Sequence, residues 1–212
     1  MRDSGAGGPS IAARLTPPAG SVGAMRVVAG VAKGRRLLAP PGRDVRPTAD
    51  RVREAMFNSL FSLCPIEGAT VLDLFAGTGA LGIEALSRGA ARAVFVEHDR
   101  SARSTLQRNL AETGLAPRAT VEAGDALAYL AAAPVPFDLA FCDPPYRFDR
   151  WERLLELLAS GIAVLESDRE VALGPSWELA RRKRYGSTVV TIARRAAAEL
   201  EREQPRQSCL GC

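Results

Sequence analysis

The sequence predicts an α/β fold: a mostly parallel, doubly wound sheet of seven strands closed by a terminal antiparallel hairpin and preceded by a small hairpin-and-helix extension. Three observations carry that prediction. Between residues 70 and 166, apolar strand patterns alternate with helical ones, and alternation at this spacing demands right-handed crossovers between parallel strands. The strand runs, such as Thr70–Phe75 and Phe137–Cys142, are almost continuously apolar, as strands covered on both faces are. Near the end, Trp177–Tyr185 and Ser187–Arg194 flank a lone Gly186, the pattern of a hairpin.

In order, strands are expected at Thr70–Phe75, Ala93–Glu97, Ala119–Glu122, Phe137–Cys142 and Ile162–Glu166. The helices between them are Leu81–Arg88, stopped by Gly89, Ser101–Thr113, stopped by Gly114, and Asp125–Ala131. A fourth, Arg150–Ala159, aligns Trp151, Leu154, Leu155 and Leu158. Upstream, Arg26–Leu38 reads as a short β-hairpin turning at Lys33-Gly34, and Pro40-Pro41-Gly42 breaks the pattern. Thr48 is then placed to cap a helix that lines up Val52, Met56, Leu60 and Leu63. Residues 1–24 are aperiodic and rich in Gly, Ala, Ser and Pro; they read as a disordered leader, with Met25 an alternative start. The expected division is leader 1–24, basic extension 25–66, main domain 67–195 and charged tail 196–212.

The 212 residues are 47% apolar and 25% charged, which suits one globular domain and excludes a disordered or fibrous chain. No apolar run reaches the roughly 18 residues of a membrane span, so a cytoplasmic location is the default. The net charge of +4 leans toward polyanions, and Lys33 and Lys183 are the only lysines. Between Arg26 and Glu54, eight basic residues face three acidic ones, so the positive surplus sits in the extension and suggests a phosphate-facing surface. The four cysteines do not form a disulfide framework: Cys64 and Cys142 read as reduced core thiols, and Cys209/Cys212 as part of a fraying tail without a second pair to complete a metal site. His98 is the single histidine, and no G-x-S-x-G elbow is present, which disfavours a Ser-His-Asp hydrolase.

In such sheets ligands bind beyond the carboxyl ends of the strands. The first of those ends reads Asp73-Leu-Phe75-Ala76-Gly77-Thr-Gly79-Ala-Leu-Gly82, where glycines let backbone approach a ligand closely. Asp73 would repel a pyrophosphate and attract an ammonium or sulfonium group. Glu97, followed by His98, ends the second strand where a carboxylate accepts hydrogen bonds from ribose hydroxyls, in NAD and S-adenosylmethionine alike. Asp125, followed by Ala126, either receives an adenine amino group or caps the next helix. The fourth end, Asp143-Pro144-Pro145-Tyr146, is an acceptor-rich corner: the prolines fix the backbone and remove two donors. The Asp143 carboxylate and Pro144 carbonyl suit the two N–H groups of a planar amine, and Tyr146 suits stacking on a base.

Together these four elements resemble class I S-adenosylmethionine-dependent methyltransferases acting on an sp² amine. The segment Arg46-Pro-Thr48-Ala-Asp-Arg51-Val-Arg53-Glu-Ala-Met-Phe-Asn58 and the hairpin Arg26–Arg36 are similar to the RsmD-type 16S rRNA guanine-N2 methyltransferases. The resemblance spans Met25 to about Arg195. It implies a Rossmann-like fold, S-adenosyl-L-methionine as cofactor, and methylation of one guanine in 16S rRNA on an assembled or nearly assembled small subunit, by a monomer without a metal. It assigns Asp143, Pro144, Pro145 and Tyr146 to catalysis. To the cofactor it assigns Asp73, Phe75, Ala76, Gly77, Gly79, Glu97, His98, Asp125 and Ala126. The RNA falls to Arg35, Arg36, Arg46, Thr48, Arg51 and Arg53, with Arg181–Arg184 a possible extension of that surface. An adenine-N6 methyltransferase of DNA or RNA, or a protein glutamine methyltransferase, remains the alternative. An NAD-dependent oxidoreductase explains the glycines and Glu97 but neither Asp73 nor the Asp143 corner.

Overall fold

The computed structural model describes residues 25–39, 47–132 and 135–197, the side chains of residues 47–50 excepted. The leader, the Pro40-Pro41-Gly42 break, Arg46, and Cys209 and Cys212 lie outside the described residues. Helix α1 (Pro47–Phe61) precedes β1 (Thr70–Leu74), α2 (Ala80–Ser87), β2 (Arg92–Glu97), α3 (Arg100–Thr113) and β3 (Ala119–Ala123). Then follow α4 (Ala126–Ala132), β4 (Phe137–Cys142), α5 (Trp151–Leu157), β5 (Ser160–Ser167), β6 (Trp177–Tyr185) and β7 (Thr188–Arg195). The strands form one seven-stranded sheet in the order β3-β2-β1-β4-β5-β7-β6. β1 to β5 are parallel; β7 runs antiparallel to both β5 and β6.

The sheet separates two apolar layers. On one face, Val52, Met56, Phe57 and Leu60 of α1, Ile83 and Leu86 of α2, and Leu106 and Leu110 of α3 cover Val71, Phe95, Phe141, Val164 and Ile192. On the other, Leu127 and Leu130 of α4 and Trp151, Leu154 and Leu155 of α5 cover Leu72, Leu74, Val96, Cys142 and Leu165. Alternate residues of each strand therefore feed opposite layers.

Two local expectations need correction. The helix after the proline break starts at Pro47, so Thr48 lies inside it and is not its cap; proline's fixed φ and missing N–H suit the first helical position. Leu63 lies beyond the end of α1 and is 38% exposed, and Cys64 is only half-buried, so neither belongs to the core. The Arg26–Leu38 hairpin forms as expected: Arg26 and Arg36 bridge, the Val27 N–H reaches the Arg35 carbonyl (3.0 Å) and the Leu37 N–H the Met25 carbonyl (2.8 Å), and further N–H groups of the segment are held by α2. Glu84 of α2 accepts those of Val28 (2.7 Å) and Ala29 (3.0 Å), and Ser87 accepts those of Val31 and Ala32.

Glu84 is thus the post on which the basic segment is fastened. Its side chain is 1% exposed, receives the Arg88 Nε at 2.7 Å, and lies 3.8 Å from the Arg53 guanidinium. Removing it leaves one buried and one half-buried guanidinium group and two backbone donors without their anion, a loss of about 3 kcal/mol or more. Glu84→Ala is therefore expected to lower the melting temperature by roughly 6–12 °C in a calorimetric scan. Limited proteolysis should then cut within residues 25–39 first.

Candidate active site

The loop after β1 turns sharply, and its residues are chosen by that turn. Phe75 has a positive φ of 59°, the one non-glycine among the described residues to do so. Its ring packs edge-on against Phe148 at 5.3 Å, and Phe148 packs in turn against Trp151 at 5.2 Å. Those contacts hold an aromatic side chain in a backbone region that disfavours it. Gly79, at φ 82°, begins α2, and a Cβ there would sit 2.2 Å from Leu106. At Gly82 a Cβ would meet the Phe95 ring at 2.3 Å and the Asp73 carboxylate at 3.0 Å. The third glycine thus lets α2 close directly onto that acid.

Asp73 is 2% exposed, and its Oδ2 accepts the Gly82 N–H at 2.8 Å. Burial pushes its carboxyl up to about 8, against the pull of that N–H and helped by the nearby Glu97 charge. Glu97 accepts the N–H groups of Gly77 and Asp99, each at 2.8 Å, one on each oxygen. Each oxygen keeps a second lone pair. The exposed His98 ring lies 3.2 Å from the same carboxylate. Of the two roles left open for Asp125, the structure shows the cap: Oδ1 accepts the Ala128 N–H at 3.0 Å at the start of α4, while Oδ2 lies 4.0 Å from Arg150.

Two cavities open at this edge and share Phe75. The larger, about 520 Å³, is lined by Asp73, Ala76 and Thr78 from the β1 loop, by Asp143 and Tyr146, by Val52, Arg53 and Met56 of α1, and by Glu166 and Tyr185–Thr188. The smaller, about 200 Å³, is a slot between Phe75, Val96 and Ala126 on one hand and Pro145 and Phe148 on the other, with His98, Asp125 and Arg150 at its mouth. At the fourth strand end Pro144 is buried while Asp143, Pro145 and Tyr146 are exposed. The Pro145 carbonyl accepts the Phe148 N–H at 2.8 Å, closing a tight turn. Arg169, just after β5, fastens the turn from outside, donating to the Phe148 carbonyl at 2.8 Å and the Tyr146 carbonyl at 3.5 Å.

The residues expected to face RNA separate. Arg35, Arg36 and Arg51 are exposed, Arg35 donating to the Glu112 carbonyl at 3.3 Å. Thr48 lies in α1 without a described side chain. Arg53 does not face outward: it is 4% exposed and donates to the Arg26 carbonyl, beside Glu84. Its place on the apolar side of α1, one residue after Val52, withdraws it from the phosphate surface. Glu166, Arg169 and the Tyr185–Thr188 turn also shape the site, though no motif in the sequence marks them. An acid at a strand end was the signal followed at Asp73, Glu97 and Asp143, and Glu166 carries it on β5. Burial raises the Glu166 carboxyl as well.

The strand order, the glycine loop after β1 and the acid-proline corner after β4 define a Rossmann-like class I methyltransferase fold. Solved structures agree: Escherichia coli yhhF matches with a TM-score of 0.73 and 38% identity over 82% of this chain and 99% of that one. A profile of the family described as Conserved hypothetical protein 95 matches residues 25–194, and the chain belongs to that family. It is 38% identical to Ribosomal RNA small subunit methyltransferase D of Escherichia coli (strain K12), over 82% of this chain and 92% of that protein. It is 40% identical to YlbH of Bacillus subtilis (strain 168), over 79% and 97% respectively.

The buried Asp73 makes stability depend on pH. Its carboxyl ionises near 3.8 in the unfolded chain but keeps its proton to about 8 in the fold. The native state binds the extra proton through that window, so this position loses stability as pH rises from about 4 to about 8. Asp73→Asn still accepts the Gly82 N–H and does not titrate. Urea unfolding at about pH 5 and about pH 8 is expected to show the wild type losing ground to Asp73→Asn at the higher pH. A difference that does not change with pH would contradict the buried acid.

Proposed function

We propose that this chain is an S-adenosylmethionine-dependent methyltransferase that methylates the exocyclic N2 of a guanine in small-subunit ribosomal RNA. The carrying observation is that the Asp143–Tyr146 corner and the buried Asp73 open onto one cavity. An acceptor rim for an amine and a buried acid that a bound cation would ionise thus share a chamber.

The residues fit the cofactor. Asp73 offers a buried carboxylate to the positively charged end of the molecule, and Glu97 retains lone pairs for ribose hydroxyls. The slot between Phe75, Val96, Ala126 and Phe148 suits a flat apolar ring, with Asp125 at its edge for an amino group. When bound, S-adenosylmethionine supplies an electrophilic methyl group on a sulfonium.

The protein's own part is positioning, which can supply roughly 7–11 kcal/mol. The Asp143 carboxylate and Pro144 carbonyl accept the two N–H groups of the amine and direct its lone pair into the cavity. The exposed Tyr146 ring offers a stacking face worth roughly 1–3 kcal/mol. Asp143, open to solvent, is the base at hand for the proton the amine gives up. A base reaches this chamber only when splayed from its stack, which an RNA loop makes inexpensive. Arg35, Arg36 and Arg51 are exposed and offer charge that fixes phosphates without reading sequence. The relatives named for small-subunit rRNA methylation support that substrate. The proposal includes a monomer acting on an assembled or nearly assembled subunit in the cytoplasm; among the described residues no helix is long and apolar enough to cross a membrane.

Small subunits from a strain lacking this protein are expected to gain one N2-methylguanosine on incubation with the enzyme and S-adenosylmethionine, read by nucleoside mass spectrometry and located by primer extension. A methyl on adenine or protein would overturn the reading. Asp143→Ala should lower kcat on the order of 10²–10³-fold, with S-adenosylhomocysteine affinity by calorimetry within a few-fold of wild type. Arg51→Glu should weaken RNA binding and flatten the plot of log Kd against log salt by about one phosphate contact. An unchanged salt slope would remove Arg51 from the RNA surface.

A further inference from the structure

We propose that Glu166 selects the base: resting on the guanine reading above, its carboxylate accepts the N1–H of the target while the Asp143 corner holds N2. The sheet itself supplies the arrangement. β4 and β5 pair in parallel with Cys142 opposite Leu165, so Asp143 and Glu166 are the next residues on neighbouring strands. Phe141 and Val164, two positions earlier, both lie in the α1-side layer, and strand alternation sends Asp143 and Glu166 the same way. On the next strand, β7, Val190 and Ile192 belong to that layer too, which places Thr188 on the same side. Asp143, Glu166 and Thr188 line the one cavity.

Read across β4, β5 and β7, the groups are an acceptor, an acceptor and a hydroxyl able to donate. The Watson–Crick edge of guanine presents N2–H₂, N1–H and O6 in that order, two donors and an acceptor. Adenine and cytosine each place a bare ring nitrogen beside their amine, which would point a lone pair at Glu166. Such a mismatch leaves buried polar groups unpaired and discriminates far more strongly than shape. Burial raises the Glu166 carboxyl, and an N–H donor set against it favours the ionised form. Asp143 alone accepts any amine, so the second acid confers the choice.

The test pairs a side-chain change with an atomic change in the substrate. Small subunits are reconstituted from 16S rRNA carrying either guanosine or 2-aminopurine at the methylated position; 2-aminopurine keeps the N2 amine and has a bare N1. Because 2-aminopurine also lacks O6, wild type is expected to prefer guanosine on the order of 100-fold in kcat/KM. Glu166→Gln, whose amide can donate to a bare N1, is expected to narrow that preference about 10-fold, the rest belonging to the lost O6 contact. Affinity for S-adenosylhomocysteine, measured by calorimetry, should stay within about 2-fold, since Glu166 lies on the base side. An unchanged preference in Glu166→Gln overturns the assignment. Should that variant fail to hold the cofactor, Glu166→Asp retracts the acceptor by one carbon: a loss confined to guanosine supports the role, and an equal loss on both substrates overturns it. Wild type that transfers to neither substrate overturns the function itself and the role with it.

Discussion

Side chains along a strand point alternately to opposite faces, and that period of two governs this molecule's chemistry. Asp73 follows Val71, Glu97 follows Phe95, Asp143 follows Phe141 and Glu166 follows Val164, each two positions beyond a residue of the α1-side core. Four neighbouring strands therefore bring four acids to one face of one edge. A one-residue slip of any strand would send its acid among the leucines of the α5 side. Gathering acids this way is electrostatically costly, and the fold answers differently at each one. Asp73 takes a backbone N–H and holds its proton to about 8, while Glu97 takes two N–H groups from the loops beside it. Asp143 remains in contact with solvent. The result is a surplus of acceptors lodged beneath an arginine-rich exterior, suited to cationic and N–H-bearing ligands.

That exterior is attached by the same electrostatic logic in reverse. The basic segment 25–39 lies on α2 because one buried acid, Glu84, gathers its amides and the guanidinium groups of Arg53 and Arg88. Arg53 looks outward in the sequence and is inward in the fold: it belongs to the fastening, and the exposed Arg35, Arg36 and Arg51 present the charge. Positive charge thus stays on the surface while acceptors line the cavity. In the proposed reading, affinity for the backbone and choice of base fall to different residues.

The strands and the glycine loop were legible because each depends on local chemistry: apolar runs, and glycines where a Cβ would strike Leu106 or Phe95. Phe137–Cys142 and Trp177–Tyr185 match their observed bounds. The start of α1 was misjudged because proline at a helix's first turn and a threonine cap are competing signals a residue apart. The first hairpin was legible too, but nothing in Arg26–Leu38 announces that Glu84 and Ser87, more than fifty residues away, take its remaining amides. Glu166 escaped for a related reason. Its significance comes from standing beside Asp143 across a pair of strands, a relation that the register creates.

The register also explains why β5 matters beyond Glu166. Arg169, three residues on, holds the carbonyls of Tyr146 and Phe148 and so fixes the turn that shapes the acceptor corner. Phe148 in turn supports Phe75, whose strained backbone begins the loop on the cofactor side. A chain of contacts thus runs from β5 through the Asp143 turn to the loop after β1. In the proposed reading the base-facing half of the site is built on β4, β5 and β7, and the cofactor-facing half on β1, β2 and the loop after β3. They meet at one aromatic pair, so a displacement of Phe148 alters both the width of the slot and the aim of the corner. Phe75 borders both cavities, so a displacement of its ring changes the shape of each.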